Sequence, residues 1–189
     1  MKNGAAVRLY LRIFLLTGIP FGVVIGLYDS ITFAGGTAAI LGGVVTGAIF
    51  GALSAGFGGT GQLRAARAAV YTDATDLRLP QSARIRVERP APQAYALAQQ
   101  VLRALPARIT AEDAVLGRIT AQTGITWQSF GENIAIAIES DGADAAEVLV
   151  EGRPRLRFTA VDYGLGRQRV ERIAANLTDL AARGRARPR

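Results

Sequence analysis

Residues 83–106, ARIRVERPAPQAYALAQQVLRALP, change their apolar period halfway along. In the first part Ile85 and Val87 fall on one side and Arg84 and Arg86 on the other, which predicts a half-buried strand over Ala83 to Arg89. Pro90 and Pro92 stop that strand and suit the first turn of a helix. Ala94, Leu97, Ala98, Val101, Leu102 and Leu105 then recur at three and four residues until Pro106, which predicts an amphipathic helix. A strand that hands over to a one-sided helix needs a sheet for the helix to cover.

That sheet is readable downstream. Strand patterns occupy Arg108 to Ala111, Gly117 to Thr123 with an extension toward Gln128, Glu132 to Ser140, Ala146 to Glu151, and Arg155 to Val161. Asp141-Gly142 and the Ser129 to Gly131 region supply turns, and connections this short join antiparallel neighbours. After Asp162-Tyr163-Gly164-Leu165-Gly166, a last helix carries Val170, Ile173, Ala174, Leu177 and Leu180 on one face and stops at Gly184. The expected class is α+β, in the order strand, helix, meander, helix over residues 83–182, enough chain for one small core.

Upstream the composition is different. Asp29 is the one charged residue between Arg12 and Arg64. Two apolar stretches lie there, 9–28 and 37–57, separated by the polar segment from Asp29 to Gly36. Twenty helical residues measure about 30 Å, the thickness of a bilayer's hydrocarbon core, so each stretch is long enough to span. Tyr10 and Tyr28 mark the ends of the first, and Arg12 sits close enough to one end to snorkel with Arg8. A cleaved signal peptide and a soluble buried hairpin are the rival readings; no Ala-x-Ala site follows Tyr28.

The domain plan is a transmembrane hairpin over 1–59, a juxtamembrane connector over 60–82, the α+β domain over 83–182 and a basic tail over 183–189. Lys2, Arg8, Arg12, Arg64 and Arg67 flank the outer ends of the spans, and the short loop carries no basic residue. The positive-inside rule therefore expects a multi-pass protein of the inner membrane with both termini in the cytoplasm. A reporter fused after Arg189 and active only outside the cytoplasm would contradict that topology.

Glycine spacing adds a packing expectation. Gly18, Gly22 and Gly26 recur at four residues, and so do Gly43, Gly47 and Gly51 within a longer small-residue ridge from Gly35 to Gly59, a glycine-zipper pattern. Small residues at this spacing let helix backbones approach closely in lipid. Either the hairpin packs its own two ridges together or a leftover ridge joins copies into a homo-oligomer. Apart from Arg12 no charge lies within a span, so no ion path is marked.

Charge and composition exclude many functions. The chain has no Cys and no His, which removes thiol nucleophiles, disulfides, imidazole acid-base groups and Cys/His metal sites. No metal and no cofactor is expected. The net charge of +7 rests on 21 arginines and a single lysine, but four of those arginines lie in the last seven residues and others beside the spans. The folded part is nearly neutral. This distribution suits anionic lipid headgroups, and nucleic acid is not expected as a partner.

The stretches Gly117 to Thr123, Ser129 to Ile134 and Asp162 to Gly164 resemble a pattern in uncharacterised bacterial membrane-anchored proteins. The element order over 83–182 is similar to helix-grip domains, in which a curved antiparallel sheet wraps a C-terminal helix, as in the soluble domains of some bacterial envelope lipoproteins. The resemblance implies a fold and carries no activity.

Candidate sites are few. Arg84, Arg86, Arg153, Arg155 and Arg157 share an outward parity and form either a phosphate-binding ridge or a solvated face paired with Glu139, Glu147 and Glu151. Arg167 and Arg169 follow Gly164-Leu165-Gly166 at a helix start, where an anion could sit, although a cap and turn explain the same residues. Trp127, Phe130 and Tyr163 stand near predicted strand ends, either as core anchors or as the mouth of a pocket between sheet and last helix. Glu132 and Asp162 are the carboxylates nearest to them, and paired carboxylates can serve acid-base chemistry if burial splits their pKa values.

The expectation is a non-enzymatic integral membrane protein whose cytoplasmic domain docks an unknown protein partner or helps assembly. The alternative is a membrane-anchored binder of a lipid or other apolar ligand in a helix-grip pocket. Its ligand or partner surface would include Trp127, Phe130, Tyr163, Arg155, Arg157 and Arg167.

Overall fold

The computed structural model describes residues 3–33, 35–73, 76, 80–125, 131–156 and 164–183. The chain divides into two compact units, a helical hairpin up to Arg64 and a second unit that begins at Ala65.

The hairpin consists of α1 (Asn3–Phe33) and α2 (Gly36–Arg67). Both helices outrun the apolar stretches that predict them. Asp29 to Phe33, expected as polar loop, continue α1, and α2 runs on past Thr60 into the expected connector. An uninterrupted helix satisfies every interior backbone group within itself, so a few polar residues do not end it. Pro20 lies inside α1. The hydroxyls of Thr17, Ser30, Thr46 and Thr60 each donate to the carbonyl four residues back, at Ile13, Gly26, Gly42 and Gly56, so these polar side chains are satisfied inside their own helices.

Both helices are long and apolar enough to cross a membrane. Only 17% and 28% of their most apolar windows are buried, which separates them from the core helices of a soluble domain. Val24, Leu27, Val44 and Ile49 are among the large apolar side chains that face outward.

The second unit is a five-stranded antiparallel sheet under two helices. Its elements are β1 (Gln81–Val87), α3 (Ala91–Arg103), β2 (Ala107–Asp113), β3 (Arg118–Thr123), β4 (Glu132–Ser140), β5 (Ala146–Pro154) and α4 (Leu165–Arg183). The strand order is β1-β5-β4-β3-β2, with every neighbouring pair antiparallel. Strands β2 to β5 form the meander, and β1 pairs with the last of them, so α3 is the single crossover. This is an α+β, helix-grip-like fold.

Strand β1 starts two residues earlier than its apolar pattern suggests and stops at Val87, because Gln81 is buried in phase with Ala83, Ile85 and Val87. Pro90 precedes α3 and Pro92 lies in its first turn, where a missing N–H loses no intrahelical bond. Strand β5 continues to Pro154, and Arg155 and Leu156 form a bend after it rather than opening a sixth strand. The remainder of that expected strand, 157–161, lies outside the described residues, as does the extension from Thr126 toward Gln128.

The core is one layer between the sheet and the two helices. Ile134, Ile136 and Ile138 of β4 and Val148 and Val150 of β5 point into it beside Ile119 of β3. Val101 and Leu102 of α3, with Val170, Ile173, Ala174 and Leu177 of α4, close it from above. Gly152 sets how near α4 can come: a Cβ there would lie 2.9 Å from Val170 Cγ2. The central part of this layer is packed with apolar side chains, which stabilise the fold by about 1.5–3 kcal/mol for each large side chain fully buried.

Candidate functional site

Polar groups gather at the end of the sheet where β4 begins and β5 ends. Glu132, the first residue of β4, faces inward in phase with Ile134, Ile136 and Ile138, and is only 2% exposed. Arg169 lies one helical turn before Ile173 on α4, which turns it toward the same space. The two side chains form an ion pair. The carboxylate side is dry, whereas the Arg169 side chain keeps 22% of its surface exposed and so links the layer's interior to its rim.

The local backbone holds Glu132 in place. Its N–H donates to the buried Thr123 hydroxyl at 2.9 Å, tying the start of β4 to the end of β3. Gly131 has φ +80°, and a Cβ there would lie 2.9 Å from both Thr123 O and Arg155 Cδ. The Arg155 N–H donates to the Gly131 carbonyl at 3.1 Å. Glycine is thus required by conformation and by space.

Next to this pair, α4 grips the connector that precedes β1. The Glu171 carboxylate accepts from the N–H groups of Val70, Tyr71 and Thr72 and from the Thr72 hydroxyl, at 2.7–3.1 Å. Arg167 is buried, at 4% exposure, and donates to Thr72 Oγ1 and to the carbonyls of Asp73 and Asp76. Burial raises the Glu171 pKa, but the bonds from Thr72, Val70 and Tyr71 outweigh it and hold the carboxyl below its ordinary 4.5.

A depressed folded-state pKa makes Glu171 stabilising above the unfolded value, and that contribution is lost as pH falls through the folded value. Acidification below about pH 4 is therefore expected to release the connector before the sheet melts. Hydrogen exchange at the Val70, Tyr71 and Thr72 amides should rise selectively there, and Glu171→Gln should produce most of that rise already at pH 7. Unchanged protection in Glu171→Gln would show that the carboxylate does not hold the connector.

The other sequence candidates separate clearly. Arg84 pairs with Glu147, Arg86 with Glu88 and Asp141, and Arg153 with Glu151, so these arginines form a solvated, charge-paired face rather than an open phosphate ridge. Arg155 leaves the strand and packs its side chain beside Gly131. Arg167 does not present an anion site at the start of α4, because its guanidinium is bonded to the connector. Trp127, Phe130, Arg157, Tyr163 and Asp162 lie outside the described residues. Glu171, which no sequence pattern singled out, accepts from four donors of the connector.

In the hairpin, Gly18 faces Gly47 and Gly22 faces Gly43 so closely that a Cβ on Gly18 or Gly22 would lie 2.6 Å from the opposing carbonyl oxygen. Gly51 packs on Phe14 in the same way, and Gly26 approaches Ala39 and Gly43. Tyr10 lies over Gly59, with its hydroxyl 3.3 Å from Thr60 Oγ1, and the Phe21 and Phe50 rings stack at 4.2 Å. Among the described residues no cluster of acidic side chains could hold a metal ion.

No family profile and no curated protein matches this sequence. Among solved structures, the chain is similar to the di-domain ARO/CYC StfQ of the steffimycin biosynthetic pathway, at 15% identity over 56% of this chain and 46% of that one, TM-score 0.46. It is similar to the di-domain ARO/CYC BexL of the BE-7585A pathway, at 17% identity over 58% and 48%, TM-score 0.42. It is similar to the Zhui aromatase/cyclase from Streptomyces sp. R1128, at 13% identity over 57% and 95%, TM-score 0.43. The chain spans about half the length of each di-domain protein.

At these identities the likeness concerns the fold. The expectation of a protein that is not an enzyme is corrected by the same comparisons, since the similar structures are aromatase/cyclases.

Proposed function

We propose that this chain is a membrane-anchored helix-grip domain that binds a small, largely apolar molecule with one polar group, at the Glu132–Arg169 end of the sheet-helix layer. The observation that carries the reading is the ion pair itself. A charged pair at the edge of an apolar layer is weak evidence for stability, because apolar residues of similar volume would serve the fold as well or better. Its placement suits recognition: apolar walls supply contact, and a few convergent polar groups orient the ligand. The hairpin is the anchor, spanning the inner membrane twice with both termini in the cytoplasm, where the basic residues flanking α1 and α2 belong. The aromatase/cyclases of like fold agree with a small-molecule role and lend no specific substrate.

The test uses the full chain purified from its own membrane in mild detergent, denatured, extracted with organic solvent and examined by mass spectrometry. A stoichiometric molecule is expected in the wild type. The paired substitution Glu132→Leu with Arg169→Met is expected to keep the fold, since it removes both charges together, and to lose the molecule at least tenfold. An empty extract, or one unchanged by the paired substitution, would overturn the reading. A second reading, protein docking, is favoured by the apolar packing at the centre of the layer, and a stoichiometric polypeptide in place of the small molecule would support it.

A further inference from the structure

The hairpin has a groove along one side, of about 480 Å³. Gly22 and Gly47 form part of its floor, and Ile19, Val23, Ile40 and Val44 form its walls. Along α1 it runs from Phe14 to Ser30, about 24 Å at 1.5 Å per residue. One leaflet of a bilayer's hydrocarbon core is about 15 Å thick, so the groove is long enough for an extended acyl chain. The Ser30 hydroxyl at its far end is already bonded to Gly26 O at 2.7 Å, which leaves the lining suited to an apolar occupant.

Arg8 and Arg12 lie on α1 beyond the Phe14 end of the groove. Arg8, Arg12, Ile19, Val23 and Leu27 follow one another at steps of four and seven residues, so the two arginines continue the helical stripe that forms one wall. Both arginines are exposed, and among the described residues neither forms an ion pair. An apolar slot that leads to two guanidinium groups complements an amphiphile with an anionic head, and guanidinium groups match phosphate oxygens in geometry as well as charge.

We infer that this groove holds one acyl chain of an acidic phospholipid whose phosphate group is met by Arg8 and Arg12. The inference rests on the hairpin being membrane-embedded and is independent of the Glu132–Arg169 site. A second copy of α1 or α2 is a poorer occupant, because its helix would bring no negative charge to the arginine end.

The experiment begins with a carbonate wash of membranes carrying the full chain. Release into the supernatant would overturn the membrane reading itself. With the chain retained, the protein is purified in mild detergent and offered phosphatidylglycerol and phosphatidylcholine of identical chains in equal amounts, and bound lipid is counted by native mass spectrometry. Retention of one phosphatidylglycerol at least tenfold over phosphatidylcholine is expected. Arg8→Gln with Arg12→Gln should reduce it to the phosphatidylcholine level. Ala48→Phe, which fills the groove and leaves the arginines intact, should lower retention of both lipids while helicity by circular dichroism stays unchanged.

Equal retention of the two lipids would overturn the inference. So would undiminished binding in Ala48→Phe, competition by glycerol phosphate as effective as by the lipid, or a lipid-free dimer.

Discussion

Arg169→Leu is expected to destabilise the sheet-helix unit by about 3 kcal/mol at pH 7, the scale of breaking a buried ion pair from one side. The reason lies in the unequal burial of the pair. Glu132 is 2% exposed and cannot turn to water, whereas Arg169 already reaches solvent. Removing the guanidinium withdraws one favourable charge contact from a carboxylate held in the interior, and the loss of that contact is the cost.

Glu132→Leu should cost less, because the Arg169 side chain it leaves can move outward. Hydrogen exchange at the Ile136 and Val150 amides measures both losses. Equal losses in the two single variants would show that the pair is not the electrostatic unit described.

Glu132 is in phase with Ile134, Ile136 and Ile138, and Arg169 with Ile173 and Leu177, so parity alone points both charges inward. What parity does not supply is the crossing that brings the start of β4 under the first turns of α4. The boundaries of β4, Glu132 and Ser140, were legible because alternation is unbroken between them. The start of β1 was less so, since Gln81 and Ser82 are polar and only the structure shows Gln81 buried.

At Arg167 the sequence leaves an anion site and a cap-and-turn reading side by side, and the structure bonds its guanidinium to Thr72 Oγ1 and to the Asp73 and Asp76 carbonyls of the connector. Glu171 carried no signal, because all but one of its donors, the Thr72 hydroxyl, are backbone N–H groups about a hundred residues away, and backbone groups have no sequence signature. The helix-grip order itself was legible, as it follows from where period two gives way to period three to four.

Gly22→Leu is expected to separate the two helices of the hairpin. A Cβ at Gly22 would lie 2.6 Å from Gly43 O and 3.2 Å from Gly47 Cα, and both of these are backbone atoms with no rotamer to retreat into. The helices must therefore move apart along the whole crossing, since Gly18 and Gly47 meet in the same way one turn farther along. In lipid that loss is severe, because close packing rather than hydrophobicity holds helices together there. Gly4, by contrast, has open space around it, and Gly4→Ala should change nothing in the crossing.

The chain has no cysteine, so a single pair introduced at Phe21 and Phe50, whose rings stack at 4.2 Å, gives an unambiguous readout. A short bifunctional maleimide should join the pair in membranes of the otherwise wild-type chain and in Gly4→Ala. Gly22→Leu should reduce joining at least fivefold, while each helix stays inserted. Joining that survives Gly22→Leu unchanged would mean that the crossing at Gly22 and Gly43 does not hold the helices together in the membrane.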